Sequence, residues 1–406
     1  MEENTEKTAE QEYFDKNINI SYVDPELPVP DNKTIFKHYI CSAVLYGVCV
    51  LLFWLNPWFY DLLKVKVFGV SAGEFLSYVY LGYLIIAPII YFGFKPRTIW
   101  VSHNIIIFDY LKRIFKEKNK LRALSVEEIK HQLDFFRPTY KESQAILVLL
   151  IKLIFGTQML GFAFNNFGIM LSQVPDLINY CKQIPAGTFY NFYGDVGFRF
   201  YNTAINIIFL VDLLLFAMSY FTESVFLKNR IRSVDNTPAG ILFCIACYPP
   251  FFAASSMILG SFHNNSNLLV MNNPAHWLTI LLEILALIFI SIYLSASFAL
   301  FTKASNLTNR GTVSRGPYAV VRHPAYISKC LYWFCCITPL FVVDFNAPGF
   351  DILKYLLVSA IIFLSYAAWV VIYYFRALTE ERHLMQDPEY REYVKKVKYR
   401  FIPGLW

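Results

Sequence analysis

Eight stretches of the chain are apolar over most of their length: 39–55, 75–94, 145–171, 201–221, 239–260, 276–300, 329–343 and 352–375. A helix needs about 20 residues to cross the hydrocarbon core of a bilayer. The pattern therefore predicts an all-α, polytopic integral membrane protein with about eight transmembrane helices. The last two stretches flank Asp344-Phe-Asn-Ala-Pro-Gly349 and are the shortest pair, which predicts a tight helical hairpin. Between 105 and 118 the spacing changes character: Ile107, Leu111, Ile114 and Phe115 recur at helical intervals opposite Lys112, Arg113, Lys116 and Lys118. Such a helix lies in the interface plane. Ser125-Val-Glu-Glu128 then reads as a capping box opening a second amphipathic piece.

Composition agrees with the pattern, since 56% of the residues are hydrophobic and 16% charged, against about 25% charged in a soluble domain. Residues 1–35 are polar and acidic, contain Pro25, Pro28 and Pro30, and lack the basic start and apolar run of a secretory signal. They are expected to form a loosely docked tail, leaving the first membrane helix as the insertion signal. Residues 36–240 are expected to be an N-terminal transmembrane region with a basic amphipathic loop at 95–143, and 241–406 a C-terminal core. If both termini share one side, that side holds about 30 of the 36 Lys and Arg residues. Both termini are therefore expected in the cytosol. The net charge of +6 sits beside membrane ends, which suits anionic lipid head groups rather than nucleic acid.

The chemistry-bearing residues cluster near the end of the chain. Gly311, Gly316 and Pro317 make 310–318 irregular, and irregular backbone at membrane depth is tolerated where it lines a cavity. Arg322 and His323 precede Pro324, so the turn presents His323, backbone groups and Tyr326 as the next helix begins. Across the hairpin Arg376 and Glu380 are four apart and share a helix face. They form either an ordinary ion pair or a receptor for a substrate carrying both signs of charge. The hairpin returns these two segments to one side of the membrane. Asp212 and Glu283 lie in apolar helices, as polar sites or as helix-to-helix hydrogen bonders. Cys244 and Cys247 have half the spacing of a zinc site, but no second pair follows, and no metal is expected.

Three segments carry a family resemblance: Gly316-Pro-Tyr-Ala-Val-Val-Arg-His-Pro-Ala-Tyr326, Arg376-Ala-Leu-Thr-Glu-Glu-Arg-His-Leu384 and Tyr390-Arg-Glu-Tyr-Val-Lys-Lys-Val397 followed by Ile402-Pro403. In order and spacing they resemble the membrane methyltransferases that include isoprenylcysteine carboxyl methyltransferases and phospholipid N-methyltransferases. The resemblance covers about a quarter of the chain, from roughly residue 300 onward. It implies S-adenosylmethionine as cofactor, with Arg310, Gly311, Thr312, Val313, Tyr318, His323, Pro324, Ala325 and Tyr326 around it and Glu380 on its amino group. It also implies that Arg376, with Arg322, serves the catalytic step by facing a lipophilic methyl acceptor, a prenylcysteine-like carboxylate or a phospholipid-like amine. A carboxylate acceptor needs no base, whereas an amine would need His323 or water to take its proton.

Two other classes compete. Membrane sterol reductases using a nicotinamide cofactor are similar in an Arg-His-Pro-x-Tyr segment after a Gly-rich turn and a Tyr-Arg-x-x-Pro ending, which Tyr399-Arg-Phe-Ile-Pro403 fits. Gly316-Pro-Tyr318 and the doubled Glu380-Glu381 point to the methyltransferases instead. A scaffold or transporter would leave the pocket without nucleotide.

Overall fold

The computed structural model describes residues 28–121, 137–183, 196–223, 227–259, 268–273, 276–346 and 348–405. The capping box expected at 125–128 and most of the expected polar tail lie outside them. Among the described residues, six helical segments are long and apolar enough to cross a membrane: Asn32–Leu55, Ala72–Phe94, Tyr140–Gln183, Gly197–Phe221, Trp277–Lys303 and Ile352–Leu384. The molecule is an all-α, polytopic membrane protein. The two remaining apolar stretches are helical but short. One is broken at Tyr248-Pro249-Pro250 into the helices Pro238–Ile245 and Phe251–Leu259, as expected where proline removes the backbone donor. The other ends after 14 residues at Ile337, ahead of Pro339.

The chain forms two compact units, the first from Met1–Gly161, Ala217–Val234 and Thr308–Gly311. It opens with α1 (Asn32–Leu55), whose first turn is capped by Asp31 accepting from Thr34 N at 3.0 Å. Pro57 at a helix start permits α2 (Pro57–Leu63). A hairpin of β1 (Lys66–Val67) and β2 (Val70–Ser71) turns through Phe68 and Gly69, both at positive φ. The Ser71–Glu74 capping box then starts α3 (Ala72–Phe94). Tyrosines tie α1 to α3, with Tyr39 Oη donating to the Leu84 carbonyl and Tyr80 Oη to Ala43. Such bonds do the joining where the hydrophobic effect does not.

Helix α4 (His103–Leu121) is the amphipathic piece. Its Ile107 packs with Leu45 and Ala145, while Phe115 stays 64% exposed. A second capping box, Thr139–Glu142, opens α5 (Tyr140–Ile151), which runs through a π-helical turn at Lys152–Gly156 into α6 (Thr157–Gln183). The antiparallel ladder of β3 (Ser233–Val234) and β4 (Thr308–Asn309) is extended by a side chain. Gln144 donates to the Val234 carbonyl at 3.1 Å and accepts from its N–H at 2.8 Å.

The second unit comprises Phe162–Phe216, Asp235–Leu307 and Thr312–Trp406. Its helices are most of α6 and α7 (Gly197–Phe221), then α8 (Pro238–Ile245), α9 (Phe251–Leu259), α10 (Trp277–Leu300), α11 (Pro324–Ile337), α12 (Ile352–Leu384) and α13 (Pro388–Lys396). The core gathers Tyr201 and Ile205 of α7, Leu282, Ala286 and Ile290 of α10, Trp333 and Cys336 of α11, and Trp369 and Tyr373 of α12. Trp333 meets both Trp369 and Tyr373 edge to face. Aromatic pairs of that kind add about 0.5–1.5 kcal/mol beyond their buried area. They fix α11 against α12, so the residues at the two helix ends are held in register.

Candidate functional site

The site is built where α11 begins and α12 ends. Pro324 occupies the first turn of α11, where its missing N–H costs nothing. The residues before it pair with the tail: Arg322 N donates to the Tyr399 carbonyl at 3.0 Å and His323 N to Arg400 at 2.9 Å. Behind them stands Glu381. Its Oε1 accepts from Arg322 Nε at 2.8 Å and lies 3.0 Å from His323 Nε2, and its Oε2 accepts from Arg400 Nη2 at 2.8 Å. A carboxylate held between two guanidiniums only accepts, so His323 Nε2 carries a hydrogen. The same carboxylate holds the Arg400 guanidinium above its usual pKa. Arg322 Nη1 completes the clamp on the Val397 and Lys398 carbonyls.

Glu380, one residue earlier and about 100° around the helix, faces a different environment. Its Oε2 accepts from Tyr326 Oη at 2.6 Å. The two glutamates therefore divide the labour, Glu381 joining turn to helix and Glu380 facing a cavity of ≈ 90 Å³. That cavity is lined by Tyr318, Arg322, His323, Ala325, Tyr326, Arg376 and Glu380. Lys329, Tyr373, Tyr248, Tyr293, Ser297 and Asn306 complete much of its wall. Burial pushes the Tyr318 phenol up, with Glu380 adding to it.

Arg376 does not pair with Glu380. Its Nη2 donates to Asn306 Oδ1 at 2.6 Å, and its guanidinium carbon sits 5.3 Å from the Tyr326 ring centre, 5.4 Å from Tyr248 and 5.8 Å from Tyr373. A cation inside three aromatic faces is held without being neutralised. Lys329 is the second such cation, its Nζ 5.3 Å from the Trp333 ring and 5.5 Å from Tyr373. Asp212 accepts from Tyr293 Oη at 2.9 Å and from Ser297 Oγ. It is a helix-to-helix hydrogen bonder, and it stands behind two residues of the cavity wall. Glu283 is buried elsewhere on α10.

The remaining sequence candidates are placed differently. Pro324 starts α11, and Thr312 and Val313 belong to the same unit but are not among the cavity-lining residues. Arg310 and Gly311 belong to the first unit, where Arg310 is buried and donates to the Asn229 carbonyl at 2.6 Å. Sequence reasoning missed Lys329, Tyr373 and Asn306 as cavity residues. Lys329 is three residues past Tyr326, one turn deeper on the same face, and that spacing was the available signal.

Residues 246–397 match a family described as a protein of unknown function (DUF1295). It is a membrane protein family related to the steroid 5-alpha reductase-like superfamily. The match covers less than half of the chain, yet it takes in every cavity residue named above. No curated protein and no solved structure gives a significant match.

Proposed function

We propose that the cavity is the head-group end of a site for S-adenosylmethionine-dependent methyl transfer to a lipophilic acceptor within the membrane. The observation that carries this reading is one carboxylate, Glu380, facing two unneutralised cations, Arg376 and Lys329, in one aromatic-walled cavity. That set of charges fits the cofactor's amino-acid end, and a volume of ≈ 90 Å³ is of the size of such a head and below the roughly 300 Å³ of a pocket enclosing a whole drug-sized ligand. The cofactor supplies a methyl group on a sulfonium, ready for displacement. Glu380 would hold the ammonium. Arg376 would orient an acidic acceptor, and the tyrosine walls would exclude water. With His323 Nε2 engaged on Glu381 and two cations in the cavity, a carboxylate acceptor suits the site better than an amine. It also requires no base.

A second reading, NADPH-dependent reduction of a sterol-like lipid, is favoured by the family match. Equilibrium binding of the purified full-length protein to radiolabelled S-adenosylmethionine and to NADPH tests both. Saturable binding of the first, competed by S-adenosylhomocysteine and not by NADP, is the expected result. Binding of NADPH alone transfers the site to the second reading.

A further inference from the structure

The second unit contains another cavity, of ≈ 330 Å³, between the later turns of α6 and the start of α7. Its wall carries Gln173 and Asp176 from α6 and Arg199, Asn202 and Thr203 from α7. Arg199 stands about 26 Å along α7 from Phe216, at 1.5 Å per residue, and Phe216 lines the cavity of the candidate site. A hydrocarbon core is about 30 Å thick, so the two cavities lie near opposite membrane surfaces.

Joining the two helices explains part of this wall. Gln173 Oε1 accepts from Asn206 Nδ2 at 2.9 Å, a bond of the kind that ties spans together. That leaves the Gln173 amide nitrogen to donate. Asn202 Nδ2 donates to the Phe198 carbonyl at 3.0 Å and Thr203 Oγ1 to the Arg199 carbonyl at 2.9 Å. Their side-chain oxygens are left to accept.

The two charges are not explained in this way. Among the described residues Asp176 has no hydrogen-bond or ion-pair partner, and the Arg199 guanidinium touches only the Tyr180 ring, whose centre lies 4.4 Å from its carbon. A ring holds a cation in place without neutralising it. Either residue alone would be an ordinary interfacial charge. Both together, on one cavity wall and unpaired with each other, form an arrangement that a ligand of both signs completes.

We propose that this cavity binds a zwitterion, its ammonium on Asp176 and its acid group on Arg199. The free acceptors of Asn202 and Thr203 and the free donor of Gln173 supply the remaining hydrogen bonds. A volume of ≈ 330 Å³ falls at the lower end of the roughly 300–1,000 Å³ of ligand pockets, which suits an ethanolamine phosphate head group or a free α-amino acid. Exposed Ile178 and Phe200 beside it offer an acyl chain a lipid-facing surface. The site does not depend on the methyl-transfer reading.

Two measurements on the full-length protein in neutral detergent test it. In one, diazirine-tailed phosphatidylethanolamine, the matching phosphatidate and the matching alkylammonium are photo-crosslinked and the labelled peptides mapped. In the other, tritiated alanine is titrated at equilibrium. The expected result is saturable labelling of 171–178 or 198–207 by phosphatidylethanolamine about tenfold above either single-charge probe, or saturable alanine binding that Asp176→Asn abolishes and Glu380→Gln leaves intact. The first alone identifies a lipid head group and the second alone a free amino acid, and either supports the site. Asp176→Asn should bring phosphatidylethanolamine labelling down to the phosphatidate's level, and Arg199→Gln down to the alkylammonium's. Both side chains are exposed, so both variants should unfold at the parent temperature. Equal labelling by all three probes with no alanine binding that depends on Asp176, or a preference for phosphatidylethanolamine that survives Asp176→Asn/Arg199→Gln, overturns the proposal.

Discussion

Helix α12 reverses the usual relation between polarity and burial along its own length. Its first half carries Leu353, Leu357, Ile361 and Leu364, all more than half exposed, and only 6% of its most apolar window is buried. Its last turns carry Arg376, Glu381 and His383, all buried. In water this would be an inverted protein. In a bilayer the exposed apolar half meets solvent of its own kind, and burial marks where the protein has enclosed a polar site. Exposure therefore identifies the lipid-facing surface of this chain, and buried charge identifies its chemistry.

The largest test of that contrast is Glu381→Gln. It leaves Arg322, His323 and Arg400 around a neutral amide, and breaking a buried ion cluster costs about 3–5 kcal/mol. Thermal unfolding in detergent should show it, and a shift as small as that of a surface substitution would sink the clamp.

Glu380→Gln, its neighbour, should leave unfolding nearly unchanged and weaken cofactor binding by about 1.5–3 kcal/mol. Arg376→Gln should lower turnover while preserving cofactor affinity to within a few-fold. Losing both together would make Arg376 part of the cofactor's seat.

Buried titratable groups in the first unit extend the contrast to pH. Burial, then Arg230, lowers His103 from 6.5 to about 3, so the folded state holds it neutral. A folded pKa below the unfolded one gives stability that is complete above pH 6.5 and lost as pH falls toward 3. The loss should reach about 2 kcal/mol at pH 5. His103→Phe should flatten the pH dependence of unfolding between pH 7 and 5. Smallest of all should be Leu357→Ala on the exposed half, within about 0.5 kcal/mol in detergent.

Much of this arrangement was readable in the residues, and the rest was not for definable reasons. Apolar length located the membrane helices, because a bilayer imposes a length that no other solvent does. Gly316-Pro317 and His323-Pro324 marked the turn, since those residue types restrict the backbone whatever surrounds them. Helical spacing alone did not say which of Glu380 and Glu381 faces the cavity, and only the resemblance singled out Glu380. Adjacent helical positions diverge by about 100°, and only the packing of α11 against α12 orients them. Lys329 was hidden for a related reason. A lysine near a helix start resembles any interfacial cation until Trp333 and Tyr373 are seen against it. Arg376 and Glu380 share a face at the spacing of an ion pair, yet Asn306 and Tyr326, remote in sequence, claim them separately.

The strand of tail at 397–400 gives Arg322 and His323 four acceptors: two for main-chain amides and two for one guanidinium nitrogen. A pull of a few ångströms on that strand removes all four together. Any partner that grasps the tail thereby holds a handle on the cavity wall, and can loosen the turn of Arg322 and His323 without ever entering it.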